Sequence, residues 1–186
     1  NLLAALLSTA ALLFYVFVYT LYLKRATVQN IVIGGAAGAA PALVGWAAVR
    51  GSLDVSAWIM FAIVFVWTPP HFWALAIARK EEYAKVDVPM LPVTHGELFT
   101  RLHILLYTIL LALVTILPYL IGMSGLIYLA TAIVLNAWFL YYVIRMYRMP
   151  DEHELPMQTF KFSITYLGIL FAALLIDHYF LFQLNL

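Results

Sequence analysis

A chain of 186 residues that is 66% hydrophobic and 10% charged, with mean hydropathy +0.97, is not built like a soluble domain. Its net charge of +1 comes from basic residues scattered at the ends of apolar runs, which leaves no footprint for nucleic acid. The absence of cysteine excludes disulfides and thiolate chemistry, including thiolate metal sites.

Composition and segment length predict an all-α, polytopic membrane bundle with six spans, at roughly residues 2–23, 30–49, 55–78, 101–121, 124–146 and 160–182. No repeat or domain linker divides it, so residues 1–186 read as a single transmembrane domain. The chain opens on Asn1, with no charged region or small-residue cleavage site before the apolar run. That opening reads as the interior of a larger protein rather than a signal peptide. Nine basic residues (Lys24, Arg25, Arg79, Lys80, Lys85, Arg101, Arg145, Arg148 and Lys161) fall on one side of the predicted membrane and only Arg50 on the other. This bias places the long 79–100 loop in the cytoplasm and both ends of the chain outside.

The first span carries Tyr15, Tyr19 and Tyr22 at helical spacing, leading to Lys24 and Arg25. They read either as one wall of a cavity with a basic mouth or as an interfacial aromatic belt; Tyr22 fits the belt, whereas Tyr15 lies too deep for it. In the second span Asn30, Gly34, Gly38 and Ala42 recur every four residues, a spacing that lets helices approach closely. Asn30 is also placed to face a cavity mouth.

The third span holds the densest chemistry: Trp67, the pair Pro69–Pro70, His71 and Trp73, then the charged run from Arg79. Two prolines delete two backbone donors, so the helix is expected to kink or unwind there. In lipid such a break needs protein or a polar cavity to cover the freed groups. A lone intramembrane histidine is a functional candidate; the competing reading is a neutral imidazole satisfied by a neighbouring helix. If the helix continues past Ala78, Arg79, Glu82 and Tyr83 share one face. A guanidinium there can grip phosphate through two donors, and a carboxylate there can hold Mg²⁺ alongside substrate phosphates. Spacing alone also fits a solvated loop with local ion pairs. VPMLP then reads as an extended turn. In the fourth span Arg101 and His103 lie near the cytoplasmic end. In the fifth, Asn136 is expected to bond across to another helix. In the sixth, Ser163 and Tyr166 face inward, while Asp177 lies near the outer surface.

Taken together, YTLYLKRATVQN, GGAAGAAPALVGW, WTPPHFWALAIARKEEYAKVDVPMLPV and the FSITYL…LLIDH ending resemble the protoheme IX farnesyltransferases, haem O synthases of the UbiA-type intramembrane prenyltransferase superfamily. The likeness runs the length of the chain. It implies a nine-helix bundle of which these spans are helices four to nine, with the amino-terminal third and its Asn/Asp-rich motif absent. It implies farnesyl transfer from farnesyl diphosphate to a vinyl group of haem B, with water addition, giving haem O for terminal oxidases. Haem B is then a substrate rather than a prosthetic group.

With the reaction that the resemblance implies, catalysis falls to His71, Arg79 and Tyr83, His71 either guiding the water or ligating the haem iron, and the diphosphate to Lys24, Arg25, Arg79 and Lys80. The haem and prenyl pocket falls to Tyr15, Tyr19, Asn30, Trp67, His71, Trp73 and Arg101. Mg²⁺ is expected at Glu82, with the main metal site in the missing helices, so activity of this piece alone is in question. It implies membrane lipid and haem A synthase as partners, no nucleic acid, and a bacterial cytoplasmic or mitochondrial inner membrane with the active site on the cytoplasmic side. Two departures stand out: Asp87 where the family has glycine, and His103 where glutamine is usual. The rival readings are a UbiA-type prenyltransferase acting on an aromatic or quinone precursor, disfavoured by the few aspartates in RKEEYAKVD, and a membrane transporter fragment with its substrate site at TPPH.

Overall fold

A computed structural model describes residues 1–180. The described residues are helical, and six helices are long and apolar enough to cross a membrane. The first is α1 (Leu2–Leu13), which runs on through a π-helical segment (Phe14–Leu23) into the short α2 (Lys24–Ala26). α3 (Asn30–Arg50) returns, and α4 (Val55–Ala78) runs back towards the basic end. Two short helices, α5 (Lys80–Lys85) and α6 (Leu91–Thr94), lead into α7 (Glu97–Val114) and its extension α8 (Leu117–Leu120). α9 (Leu126–Arg148) and α10 (Leu155–Phe180) complete the bundle. The sixth predicted span reached residue 182; its last two positions lie outside the described residues.

α4 is the axis of the fold. It packs against α3, α7 and α10, while α7 packs on α9 and α9 on α10, so four helices close a ring, with α3 and then α1 added on the outside of α4. The buried core follows that ring, from Ile63 and Val66 on α4 through Ile104 and Leu111 on α7 to Phe139 and Tyr166 on α9 and α10. Local chemistry sets the boundaries. Asp54 caps α4, its carboxylate accepting from the Ser56 and Ala57 N–H groups at 3.0 and 3.3 Å. Gly51, at φ 71°, ends α3 in the left-handed conformation that glycine adopts without steric cost. Pro118 explains why α7 stops at Val114: it has no N–H to return to that turn.

Several expectations are corrected here. α4 does not unwind at Pro69–Pro70 but stays α-helical through both. Each proline deletes only its own donor, and the N–H groups from His71 onward still close the ladder. The first span is not α-helical throughout: its π turn takes in more residues, so Tyr22 rotates away from the face that Tyr15 and Tyr19 share. The close approach of α3 to α4 runs one residue off the predicted stripe, along Gly35, Ala39, Leu43 and Ala47, all buried. Gly35 lies against the Thr68 side chain, and Gly38 faces open space. VPMLP is extended only as far as Met90, where α6 begins, and Val88, Met90 and Leu91 are buried in the core.

Asp87, where the resemblance leads us to expect glycine, has φ 51°, the sole positive φ outside glycine among the described residues. Asp is one of the few side chains that tolerates this region.

Candidate functional site

The site grows outward from α4. Its basic-end turn carries Trp67 and His71 four residues apart, on the face that meets α10. On α10, Phe160 and Ser163 present the matching face. The His71 ring lies between Trp67 (centroids 4.1 Å apart, planes 18° apart) and Phe160 (4.6 Å, 25°). Its Nδ1 is 2.7 Å from the Ser163 hydroxyl, and the Trp67 indole N–H donates to the Ser163 carbonyl at 2.9 Å. Ser163 itself is fully buried and donates its hydroxyl to the Phe160 carbonyl at 2.6 Å. Both readings of the lone histidine therefore hold in part: a neighbouring helix satisfies one ring nitrogen, and the other has no hydrogen bond among the described residues.

Two spaces flank this seam. Towards the basic end, a pocket of about 460 Å³ is lined by Arg79, Glu82, Tyr83, Met157 and Phe160. The helix breaks at Arg79 and restarts as α5, and the break still leaves Arg79 and Glu82 paired at 3.2 Å. Both ends of that pair are more than half exposed, so it is worth little as a stabilising bridge and is free to exchange partners.

Within the bundle, a second cavity of about 320 Å³ is walled by Tyr15 and Tyr19, stacked at 5.5 Å, together with Trp67, Thr68 and Phe72. Gly34 makes this wall possible: a Cβ there would come within 2.4 Å of the Tyr19 ring. A third space, of about 390 Å³ and almost wholly apolar, shares Gly38, Val64 and Trp67 with it and continues along α3 and α10.

The fold thus gathers Tyr15, Tyr19 and Trp67 of the predicted set around one cavity and Arg79, Glu82 and Tyr83 around the other pocket, with His71 in the seam between Trp67 and Phe160 and lining neither. It does not bring the others there. Trp73 is buried against α7, edge-on to Tyr107 at 5.4 Å. Arg101 is not at an open rim: it is 1% exposed and donates to the Met146 and Pro150 carbonyls and to Glu97. Lys80 pairs with Glu97 at 3.2 Å, so Glu97 links the charged segment to the Arg101 anchor. Asn30 is buried and donates to the Lys24 carbonyl, fastening α3 to the turn before it. Lys24 and Arg25 are exposed on α2 with no ion pair among the described residues. Phe160, Met157 and Phe72 were not foreseen; the signal available was that Phe160 and Ser163, three residues apart, share one face of the last helix, as Trp67 and His71, four apart, share one face of α4.

No group of three or more His, Asp or Glu is placed to hold a metal among the described residues. Glu82 alone offers a carboxylate in the Arg79 pocket. Mg²⁺ binds through one or two carboxylates together with substrate phosphates, so Glu82 fits such an ion only when phosphate is present.

The family model described as "UbiA prenyltransferase family" matches residues 1–165. A protein of Methylococcus capsulatus named protoheme IX farnesyltransferase is 60% identical over 179 residues, covering 96% of this chain and 60% of that protein. Proteins of the same name from Alcanivorax borkumensis and Ruthia magnifica are also 60% identical, over 96% and 97% of this chain. The chain therefore spans about 60% of the length of the curated relatives it matches. A solved structure of digeranylgeranylglyceryl phosphate synthase superposes with a TM-score of 0.81 at 18% identity, over 96% of this chain and 62% of that one, a likeness of fold.

Proposed function

The chain belongs to the UbiA prenyltransferase family and is an integral membrane protein; from that premise we propose that the protein these residues form part of transfers farnesyl from farnesyl diphosphate to a vinyl group of haem B and adds water to give haem O. The observation that carries this reading is an arginine-bearing pocket and an aromatic-walled cavity at successive positions along α4, the first lined by Leu75 and the second by Phe72 one turn earlier. An allylic diphosphate needs those two environments next to each other: cationic donors where the pyrophosphate charge develops, and a dry aromatic surface where the carbocation forms. The relatives' names supply the substrates.

In this reading Arg79 releases Glu82 and grips the diphosphate through its planar fork. Tyr83, in the same pocket, hydrogen-bonds the departing oxygen. Lys24 and Arg25 add positive charge at the same end of the bundle. Mg²⁺ bound with the diphosphate would supply Lewis-acid stabilisation of the leaving group, held on this chain by Glu82. Tyr15, Tyr19 and Trp67 face the farnesyl cation. The vinyl group attacks it, and His71 serves the water that completes the product.

The site opens to the cytoplasmic side of a bacterial cytoplasmic or mitochondrial inner membrane, where haem A synthase takes up the product. The remaining length of the relatives holds the rest of the diphosphate site. The test is to give this chain in detergent, and a chain extended to the relatives' full length, haem B, farnesyl diphosphate and Mg²⁺, with products read by mass spectrometry. Haem O from the extended chain is expected. A prenylated quinone precursor in place of haem O, when both acceptors are offered, would overturn the substrate assignment.

A further inference from the structure

The Ser163 hydroxyl has two partners and one proton. It lies 2.6 Å from the Phe160 carbonyl oxygen and 2.7 Å from His71 Nδ1. Two oxygens that close, with no proton between them, would set lone pair against lone pair, so the hydroxyl proton points to Phe160. The bond to His71 must then be made with the imidazole's own proton, donated from Nδ1 to Ser163 Oγ. The arrangement is held from three sides. Trp67 and Phe160 cover the two faces of the ring, and Trp67 is itself tied to the Ser163 carbonyl. In the neutral ring this leaves Nε2 without a proton. Nε2 has no hydrogen-bond partner among the described residues, and it is not one of the unpartnered polar atoms sealed inside the bundle.

We infer that Ser163 is a positioning residue that locks His71 as the Nδ1–H tautomer, so that Nε2 presents a lone pair to the water that adds to the prenylated haem. This deepens the reading above and rests on it. In the step concerned, farnesyl C1 has bonded to the terminal vinyl carbon as its bond to the pyrophosphate oxygen breaks, leaving a cation on the carbon next to the porphyrin ring. The water oxygen bonds to that carbon, and the proton it loses passes to Nε2 of His71. With Nε2 protonated instead, the water has no acceptor. The cation then sheds a neighbouring proton to pyrophosphate, and the product is an alkene, lighter than haem O by one water.

Two measurements test this. Nitrogen NMR of the histidine-labelled full-length protein, with the His71 signal assigned by its loss in His71→Gln, should show a protonated Nδ1 and an unprotonated Nε2, the minor tautomer of a free histidine side chain. An Nε2–H ring, or an imidazolium, overturns the inference without reference to activity. In the full-length enzyme, Ser163→Ala should lower the ratio of hydroxylated to alkene product about tenfold or more, and Ser163→Thr, which keeps the hydroxyl, should restore it. A purely structural role would lower both products together and leave their ratio unchanged, which also overturns the inference. If wild-type full-length enzyme makes no haem O, the functional reading fails, while the tautomer result still stands or falls by itself.

Discussion

Two polar seams hang on the same helix, α10, and they are built to opposite ends. Near the outer end, Asp177 is fully buried and accepts from the Gly125, Ile127 and Tyr128 N–H groups, capping α9 from a neighbouring helix. Between it and the basic end, Tyr166 donates to Asn136, Asn136 donates to Thr115, and the Tyr128 hydroxyl donates to the Thr115 carbonyl. Both ends of the Asn136 amide are paired. At the basic end, Ser163, His71 and Trp67 form a second seam, which leaves Nε2 of His71 without a hydrogen bond among the described residues and has one cavity lined by Trp67 and another by its neighbour Phe160. In the membrane interior an unpaired polar group is costly, so a closed network is what a structural seam needs. The open position is what sets the His71 seam apart from the closed one.

The contrast can be broken from either side. The largest effect is expected at the open end: Arg79→Ala in the full-length enzyme should cut haem O formation about 100- to 1,000-fold, the loss typical of a donor aimed at developing charge. Because its present ion pair is exposed, the melting temperature should hardly move. Near-normal turnover would detach the mouth from the chemistry. At the closed end, Asp177→Ala strands three buried N–H groups and should cost about 2–3 kcal/mol, seen as a lower melting temperature in detergent. An unchanged melting point would mean that the outer seam is not structural.

Gly34→Ala should be destabilising by about 1–2 kcal/mol, because its new methyl meets the Tyr19 ring. Gly38→Ala, which meets nothing within 4 Å, should stay within about 0.5 kcal/mol. Equal melting temperatures for the two would show that the Tyr15–Tyr19 wall is not seated on Gly34. The smallest effect is expected at Asp87→Gly, which relieves a left-handed backbone and should gain up to about 1 kcal/mol. A loss of stability there would mean that the Asp87 side chain holds the loop.

The number and type of spans were legible because the membrane enforces length: each helix must supply enough apolar residues to cross. His71 stood out for the same reason, as a polar group where lipid tolerates few, and Arg79 as the start of the charged run that ends the span. Their surroundings were not. Ser163 is 92 residues from His71 along the chain, and hydropathy shows that a helix has a buried face without saying which neighbour fills it. The same gap hid the surroundings of Arg101 and Trp73, which lie near the basic end on faces of α7 and α4 that pack into the bundle. The π turn in the first span was equally hidden, since FYVFVYTLYL carries no helix breaker to announce it.

The central claim is that the Arg79 pocket and the Tyr15–Tyr19–Trp67 cavity together form one binding site for a prenyl diphosphate. Its most direct test is photolabelling of the full-length protein with a farnesyl diphosphate analogue carrying a diazirine at the far end of the chain, followed by peptide mapping. Adducts on residues 15–38 and 60–72, displaced by unlabelled farnesyl diphosphate and lost in Arg79→Ala, are the predicted result. Adducts on the lipid-facing surface of α7 or α9, or labelling indifferent to Arg79, would contradict it.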